Sequence, residues 1–143
     1  MRVSKKASRA VGTKFKVNNI VVGDLSSISS PSMTQEELDV TTLDSDGGYR
    51  EFIGGFKDPG EVSLTGYFVP SDEGQVELYR VFDTGEQADF EIEFPPQMGA
   101  KWQFSGIVTA YNTPIDLEEA VGFEVTIRVS GKPILTLPEP ETP

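Results

Sequence analysis

Residues 60–69, GEVSLTGYFV, carry the clearest strand pattern in the chain. Apolar side chains alternate there with polar ones, so that one face holds Val62, Leu64 and Phe68 and the other holds Ser63, Thr65 and Tyr67. A period of two is typical of a β-strand with one face buried. Pro70 ends the strand, because proline has no N–H to donate to a sheet. The segment therefore predicts a half-buried strand.

The same alternation recurs on both sides of this segment. It predicts further strands over residues 14–22, 36–43, 88–94, 101–113 and 120–130, and a last short stretch over 134–137. The residues expected to face the core of the two long strands are Trp102, Phe104, Val108, Ala110, Val121, Phe123, Val125, Ile127 and Val129. Residues 23–33 are rich in serine and predict a loop.

One helix is expected after Pro70. Ser71 is a suitable N-cap, and acidic residues follow it in the first turn, where they suit the helix dipole. Leu78, Val81 and Phe82 recur at helical spacing, and Gly85 marks the end. The pattern predicts a short amphipathic helix packed on a sheet.

Together these elements predict a mainly β fold: an antiparallel β-sandwich or barrel of six to seven strands with one short flanking α-helix. We expect a single domain over residues 14–137. Residues 1–13 are basic and polar and predict a flexible arm, and the C-terminal PEPETP, residues 138–143, predicts a flexible tail.

Composition removes many catalytic chemistries. The 143-residue chain has no Cys and no His, so thiolate metal sites, cysteine nucleophiles and a Ser-His-Asp triad are excluded. Catalysis by paired carboxylates or lysine stays open, but we expect no enzyme and no cofactor. No apolar run approaches the roughly 20 residues that span a bilayer, and we expect no membrane partner.

The charge is unevenly distributed. The net charge is −11, yet half of the twelve basic residues precede residue 17 and no acid precedes Asp24. The rest of the chain therefore carries six basic residues against 23 acids, a net charge of −17. Such a body should repel the phosphates of DNA.

Two motifs suggest sites that their surroundings do not support. DSDGG, residues 44–48, resembles the start of a calcium loop but lacks the third acidic position and the late Glu, so a turn is the better interpretation. Glu91 and Glu93 on one strand face could be paired carboxylates of a hydrolase, although a solvated acidic face explains them more simply.

Residues 44–59, DSDGGYREFIGGFKDP, are the least usual segment. Four Gly and one Pro predict a long loop without a long regular element. The segment nevertheless carries Tyr49, Phe52, Ile53 and Phe56, which are costly to leave in water. They should cover either another chain or the core of their own subunit.

Residues 41–70, TTLDSDGGYREFIGGFKDPGEVSLTGYFVP, resemble the tail tube (major tail) proteins of siphophages. In that family the pattern T-x-L-D-S-x-G-x-x-E-x-I-x-G-x-x-D-x-G-E-V-S is followed by an apolar strand and a short helix, an order that this chain keeps. The resemblance implies a fold shared with the type VI secretion tube protein. It also implies a structural virion protein that forms stacked, hexameric rings, the hollow tube through which DNA is ejected.

The resemblance also implies partners and surfaces. The partners are other copies of the chain, the tape measure protein, and the tail terminator and tip proteins, while DNA passes without specific binding. The protein is expected in the virion tail, and in the host cytoplasm during assembly. The residues expected in a ring-stacking loop are Asp44, Asp46, Tyr49, Arg50, Phe52, Ile53, Phe56, Lys57 and Asp58, and those expected to face the lumen are Asp89, Glu91 and Glu93.

Two other functions remain open on the residues alone. One is a small β-sandwich binding module, such as a virion decoration or adhesin-like protein. The other, with less support, is a carboxylate-based hydrolase.

Overall fold

The computed structural model describes residues 11–138, so most of the predicted arm and tail lies outside the described residues. Within this range the chain forms nine strands, one α-helix and one 3-10 turn. In chain order they are β1 (Lys14–Val17), β2 (Ile20–Val22), β3 (Leu25–Ser29), β4 (Thr34–Asp39), the 3-10 turn (Asp46–Gly48), β5 (Phe52–Asp58), β6 (Glu61–Tyr67), α1 (Glu73–Thr84), β7 (Ala88–Glu93), β8 (Lys101–Asn112) and β9 (Gly122–Thr136).

Seven of the strands form one antiparallel sheet in the order β2-β1-β7-β8-β9-β6-β3. Its two edge strands, β2 and β3, are consecutive in the chain and are separated only by Gly23 and Asp24. The sheet therefore curls until its edges approach each other, and it forms a nearly closed barrel. The predicted fold class is confirmed. The other two strands, β4 and β5, form a separate two-stranded sheet.

The barrel interior is filled by apolar side chains from alternate strand positions. Phe90 and Phe104 stack with ring centroids 5.6 Å apart, and Phe15 lies against both rings. The buried apolar residues of the described range are Phe15, Val17, Val22, Val62, Leu64, Leu78, Val81, Ala88, Phe90, Ile92, Trp102, Phe104, Val108, Phe123, Val125, Ile127 and Val129. The alternation read in residues 60–69 and 88–94 thus places the core correctly.

Helix α1 closes one side of the barrel. Its N-cap is Asp72 rather than the predicted Ser71, because the Asp72 carboxylate accepts a hydrogen bond from the Gln75 N–H at 3.0 Å. Gly85 ends the helix in the left-handed region, as predicted, with φ of 72°. Leu78 and Val81 are buried against the barrel.

The predicted first strand, residues 14–22, is wrong in one respect, because the chain reverses in its middle. Asn18 and Asn19 have φ of 48° and 68°, so β1 and β2 form a tight hairpin. Positive φ at both central residues is the pattern of a type I′ turn, and asparagine tolerates it better than most residues.

The predicted loop over residues 23–33 is also wrong, since it contains β3. This strand pairs with β6 through its main chain, and its register shifts between Leu25 and Ser27. Only Leu25 and Ile28 pack against the core from it. A strand that is mostly serine gives little apolar alternation, which is why the sequence pattern missed it.

Two core assignments on the long strands are wrong. A register shift between Val108 and Ala110 reverses the alternation of β8, so Ala110 is exposed and Tyr111 packs edge-on against Phe123 at 5.4 Å. Val121 precedes β9 and is exposed. Strand β9 also continues past the predicted end at residue 130 and absorbs most of the separate stretch predicted over 134–137.

Candidate assembly surfaces

Residues 34–58 form a β-hairpin outside the barrel. Strands β4 and β5 pair with each other, with Leu38 opposite Ile53 and Asp39 opposite Phe52. The loop predicted over residues 44–59 is therefore wrong for its second half, which is strand β5. Gly54 suits this strand pair because the side chain of Gln35 occupies the space that a Cβ would need, and at Gly55 a Cβ would be in tight contact with Glu36 and Leu38. The hairpin is held together by pairing between its own two strands.

The apolar side chains of this hairpin are exposed. Tyr49 is 78% exposed, Phe52 53%, Ile53 54% and Phe56 90%. They do not cover the core of their own subunit, so the alternative of a loop folded back on the core is wrong. A group of large apolar side chains exposed on a hairpin outside the barrel marks an interaction surface.

The two segments that connect the hairpin to the barrel, residues 30–33 and 59–60, lie close together. The guanidinium of Arg128 on β9 donates to both carboxylate oxygens of Asp58, at 3.0 and 3.1 Å. Asp58 also accepts from the Gly60 N–H at 2.8 Å. Gly60 has φ of 79°, and a Cβ on it would lie 2.3 Å from the Ser32 carbonyl oxygen. The Gly60 and Arg128 hydrogen bonds hold the pKa of Asp58 below its ordinary value.

The far end of the hairpin carries charged residues beside the exposed Leu43 and Tyr49. Asp44 precedes the 3-10 turn that Asp46 begins, and the Arg50 guanidinium lies 2.9 Å from the Asp39 carboxylate. Hydrogen bonds from Thr41 first, and then the one from Arg50, lower the pKa of Asp39. Within residues 11–138 no group of three or more acidic side chains could hold a metal ion. In the DSDGG motif, Asp46–Gly48 form the 3-10 turn.

The predicted acidic row lies on the outer face of β7. Asp89, Glu91 and Glu93 alternate there with buried Phe90 and Ile92. The carboxylates have partners on neighbouring strands. These contacts are Lys16 to Glu93 at 3.1 Å and to Glu91 at 3.6 Å, Lys101 to Glu91 at 3.5 Å, and the Ser105 hydroxyl to Asp89 at 2.9 Å.

These ion pairs change the charge of the row. Lys16 has a raised pKa, chiefly because of its hydrogen bond to Glu93, so it stays protonated. The row is therefore a mixed acidic and basic surface rather than a purely acidic one. Sequence reasoning missed the two lysines because the register of β1 and β8 on β7 cannot be read from either strand alone.

Sequence reasoning also missed a buried polar clamp at the helix start. Gln75 is 1% exposed, and its side chain donates to the carbonyls of Gly23, at 3.1 Å, and Tyr67, at 2.9 Å, and accepts from the Val69 N–H at 2.9 Å. It joins the helix to the β2–β3 connection and to the end of β6.

No helix among residues 11–138 is long and apolar enough to cross a membrane.

The family profile described as lambda phage tail tube protein matches residues 14–136, which span the barrel, the helix and the hairpin. The chain belongs to this family. It is a structural protein of the phage tail and not an enzyme, and it assembles with copies of itself into a tube. The match decides against both the binding module and the hydrolase. A search of curated proteins found no match.

Solved structures share the fold of this tail tube protein. A chain of the virion of native gene transfer agent (GTA) particle has 22% identity and a TM-score of 0.76, over 91% of this chain and 99% of that one. A chain from the tail of an empty GTA particle, computed with helical refinement and C6 symmetry, has 22% identity and a TM-score of 0.75, over 93% and 100%. The SPP1 tail tube protein has 12% identity and a TM-score of 0.64, over 89% and 77%.

Proposed function

We propose that this tail tube protein forms hexameric rings that stack into a hollow tube, and that the β4–β5 hairpin makes the contact between successive rings. The observation that carries the proposal is the exposed apolar surface of the hairpin. The C6 symmetry of the GTA tail, built from a chain of the same fold, supports six subunits in a ring.

The energetics favour a buried hairpin in the assembly. Burying one large apolar side chain stabilises a protein by about 1.5–3 kcal/mol. Tyr49, Phe52, Ile53 and Phe56 are each more than half exposed in the single subunit. A monomer in solution would keep this surface in water, whereas a tube would cover it in every ring. The polar residues Asp44, Asp46, Arg50, Lys57 and Asp58 then form the rim of the contact.

We place the outer face of β7, with Asp89, Glu91 and Glu93, towards the lumen. Lys16 and Lys101 offset part of the negative charge of this row. A surface of paired charges offers DNA no continuous basic track, so DNA and the tape measure protein can pass without tight binding. At the tube ends we expect terminator and tip proteins. Support comes from a protein of this fold in an extracellular contractile injection system sheath/tube terminator, with a TM-score of 0.72.

The experiment is a double substitution, Phe52→Ser with Phe56→Ser. Both side chains are exposed in the subunit, so we expect the variant to keep its melting temperature and to lose tube formation. The matched control is Ile115→Ser with Leu117→Ser, which removes two side chains that are 76% and 101% exposed outside the hairpin. Electron microscopy and sedimentation score assembly.

Three results would count against the proposal. The first is a variant that still forms normal tubes, and the second is a control that loses tubes equally. The third is a number of subunits per ring other than six, seen in cross-sections of tubes of the unmodified protein. A cross-section with Glu91 and Glu93 on the outer wall would remove the lumen assignment and leave the hairpin assignment intact.

A further inference from the structure

We propose that the acidic side chains of the β4–β5 hairpin oppose the association of free subunits, so that the strength of ring stacking is set by a balance between apolar and charged residues of one surface. This inference rests on the proposed stacking role of the hairpin and names how that contact is regulated. The observation that carries it is the placement of carboxylates among the exposed apolar side chains on both faces of the two-stranded sheet.

The first face of the hairpin is a row of apolar side chains with an acidic residue at each end. Alternation along β4 places Glu36, Leu38 and Val40 on one side of the sheet. Ile53 pairs directly with Leu38 and therefore shares this side. Glu51 lies opposite Val40, whose N–H donates to its carbonyl at 2.9 Å. All five side chains are exposed, so a partner that covers the apolar row also approaches both carboxylates.

The second face carries an aromatic ring beside acidic residues. Phe52 pairs with Asp39 across the sheet, and Glu37 pairs with Gly54 on the same side. The guanidinium of Arg50 forms an ion pair with Asp39 at 2.9 Å. Within residues 11–138 no ion pair involves Glu37. A partner that covers Phe52 therefore also meets an unpaired carboxylate.

The hairpin has too few cations to offset these acids. Residues 34–58 carry seven acidic and two basic residues, a net charge of −5. Asp39 and Asp58 form ion pairs with arginine. The other five acids of the hairpin have no ion-pair partner in the part of the chain that the structure describes, and they are Glu36, Glu37, Asp44, Asp46 and Glu51.

The rest of a second copy offers this hairpin few free cations. Residues 11–138 carry 21 acidic and eight basic residues, a net charge of −13. Five of the eight basic residues already pair within the subunit: Lys16, Arg50, Arg80, Lys101 and Arg128. Like charges repel at close approach, and an unpaired carboxylate is costly to remove from water. The carboxylates of the hairpin thus oppose the contact that its apolar side chains favour.

This arrangement fits a known requirement of exposed strands. The two strands of the hairpin pair only with each other, so each has an edge without a strand partner within residues 11–138. Apolar strands with open edges associate readily, and charged residues among the apolar ones limit such association. The alternative is that only the overall net charge of the subunit matters. In that case a carboxylate outside the hairpin would have the same effect on association.

The test replaces the two carboxylates of the apolar row, Glu36→Gln with Glu51→Gln. Glutamine keeps the size of the side chain and removes its charge, and both positions are exposed, so the fold should be kept. We expect tubes at a severalfold lower protein concentration than for the parent, measured at low salt by sedimentation and electron microscopy. The matched control is Glu118→Gln with Glu119→Gln, which makes the same charge change at two exposed positions outside the hairpin. It should lower this concentration much less.

Two results would overturn the inference. Equal effects of the two double substitutions would show that overall net charge, and not the hairpin carboxylates, opposes association. A hairpin variant that needs a higher concentration than the parent would show that these carboxylates bind a cationic group in the tube. Failure of the proposed function would look different, because Phe52→Ser with Phe56→Ser would then still form tubes.

Salt gives a second measurement, which needs no tubes because sedimentation also detects smaller oligomers. The screening length falls from about 10 Å to about 3 Å between about 0.1 M and about 1 M salt. The concentration at which the parent associates should fall over this range of sodium chloride. It should change less for the hairpin variant than for the parent and for the control variant. Parallel salt dependence of all three proteins would contradict repulsion by the hairpin.

Discussion

The substitution Gln75→Leu tests whether the buried clamp holds the barrel and helix together. Leucine has a similar size, so the change removes hydrogen bonds without opening a large cavity. It leaves three main-chain groups without their partner: the carbonyls of Gly23 and Tyr67 and the N–H of Val69. An unsatisfied buried polar group costs about 1–3 kcal/mol.

The expected loss can be estimated from these three groups. Their sites are only partly buried, so water can reach some of them, and we expect a loss near the lower end, about 3–5 kcal/mol. For a domain of this size each kcal/mol shifts the melting temperature by about 2–4 °C. The midpoint should therefore fall by about 6–20 °C. Chemical denaturation followed by circular dichroism gives the free energy of unfolding directly.

The control for this experiment is Gln87→Leu, which changes an exposed glutamine just after the helix. Surface substitutions of this kind stay within about 0.5 kcal/mol of the parent. If Gln75→Leu loses less than about 1 kcal/mol, the clamp reasoning is wrong, because the three main-chain groups must then find other partners at no cost.

Two further predictions concern charged groups. Hydrogen bonds from Arg80 first, and then from Asn18, lower the pKa of Glu77 to about 2. The ionised Glu77 therefore stabilises the folded state fully above about pH 4.5, and this stabilisation is lost as the pH falls towards 2. The melting temperature of Glu77→Gln should thus vary less with pH over this interval than that of the parent. The control, Glu118→Gln, should vary with pH as much as the parent does. Parallel curves for the parent and Glu77→Gln would contradict this prediction. Arg128→Ala removes the ion pair at the hairpin base, which is exposed, so global stability should change by less than about 1 kcal/mol. Relative to the parent, amide hydrogen exchange in the Arg128→Ala variant should become faster in residues 34–58, and it should change less in β7 and β8. Unchanged exchange in residues 34–58 would show that the ion pair does not fix the hairpin.

The sequence predicted the parts of the fold that have a clear period. The alternation in β6 and β7 placed Val62, Leu64, Phe90 and Ile92 in the core, and all four are buried. The helix was found from Leu78 and Val81. These elements bury one face each, and their period is therefore visible in a single strand or helix.

The sequence failed where structure depends on partners. Strand β3 is held by main-chain pairing with β6, so its serines gave no signal. Gly54 and Gly55 indicated a loop, yet the side chain of Gln35 fills the space beside Gly54 in a strand pair. Asn18-Asn19 was a readable turn signal that was overlooked. The sequence drew attention to the apolar residues of this hairpin, which are exposed, but it did not predict the strand β5.

The position of β9 in the sheet has a consequence for how a new subunit matures. This strand is the last element among residues 11–138, yet it lies between β8 and β6 in the sheet order. The barrel therefore cannot close until the ribosome has released the chain through residue 136, whereas the two strands of the β4–β5 hairpin pair only with each other and can form early. Truncated chains would expose a hairpin without a completed barrel. Growth of a tube would thus depend on subunits that have been synthesised through β9.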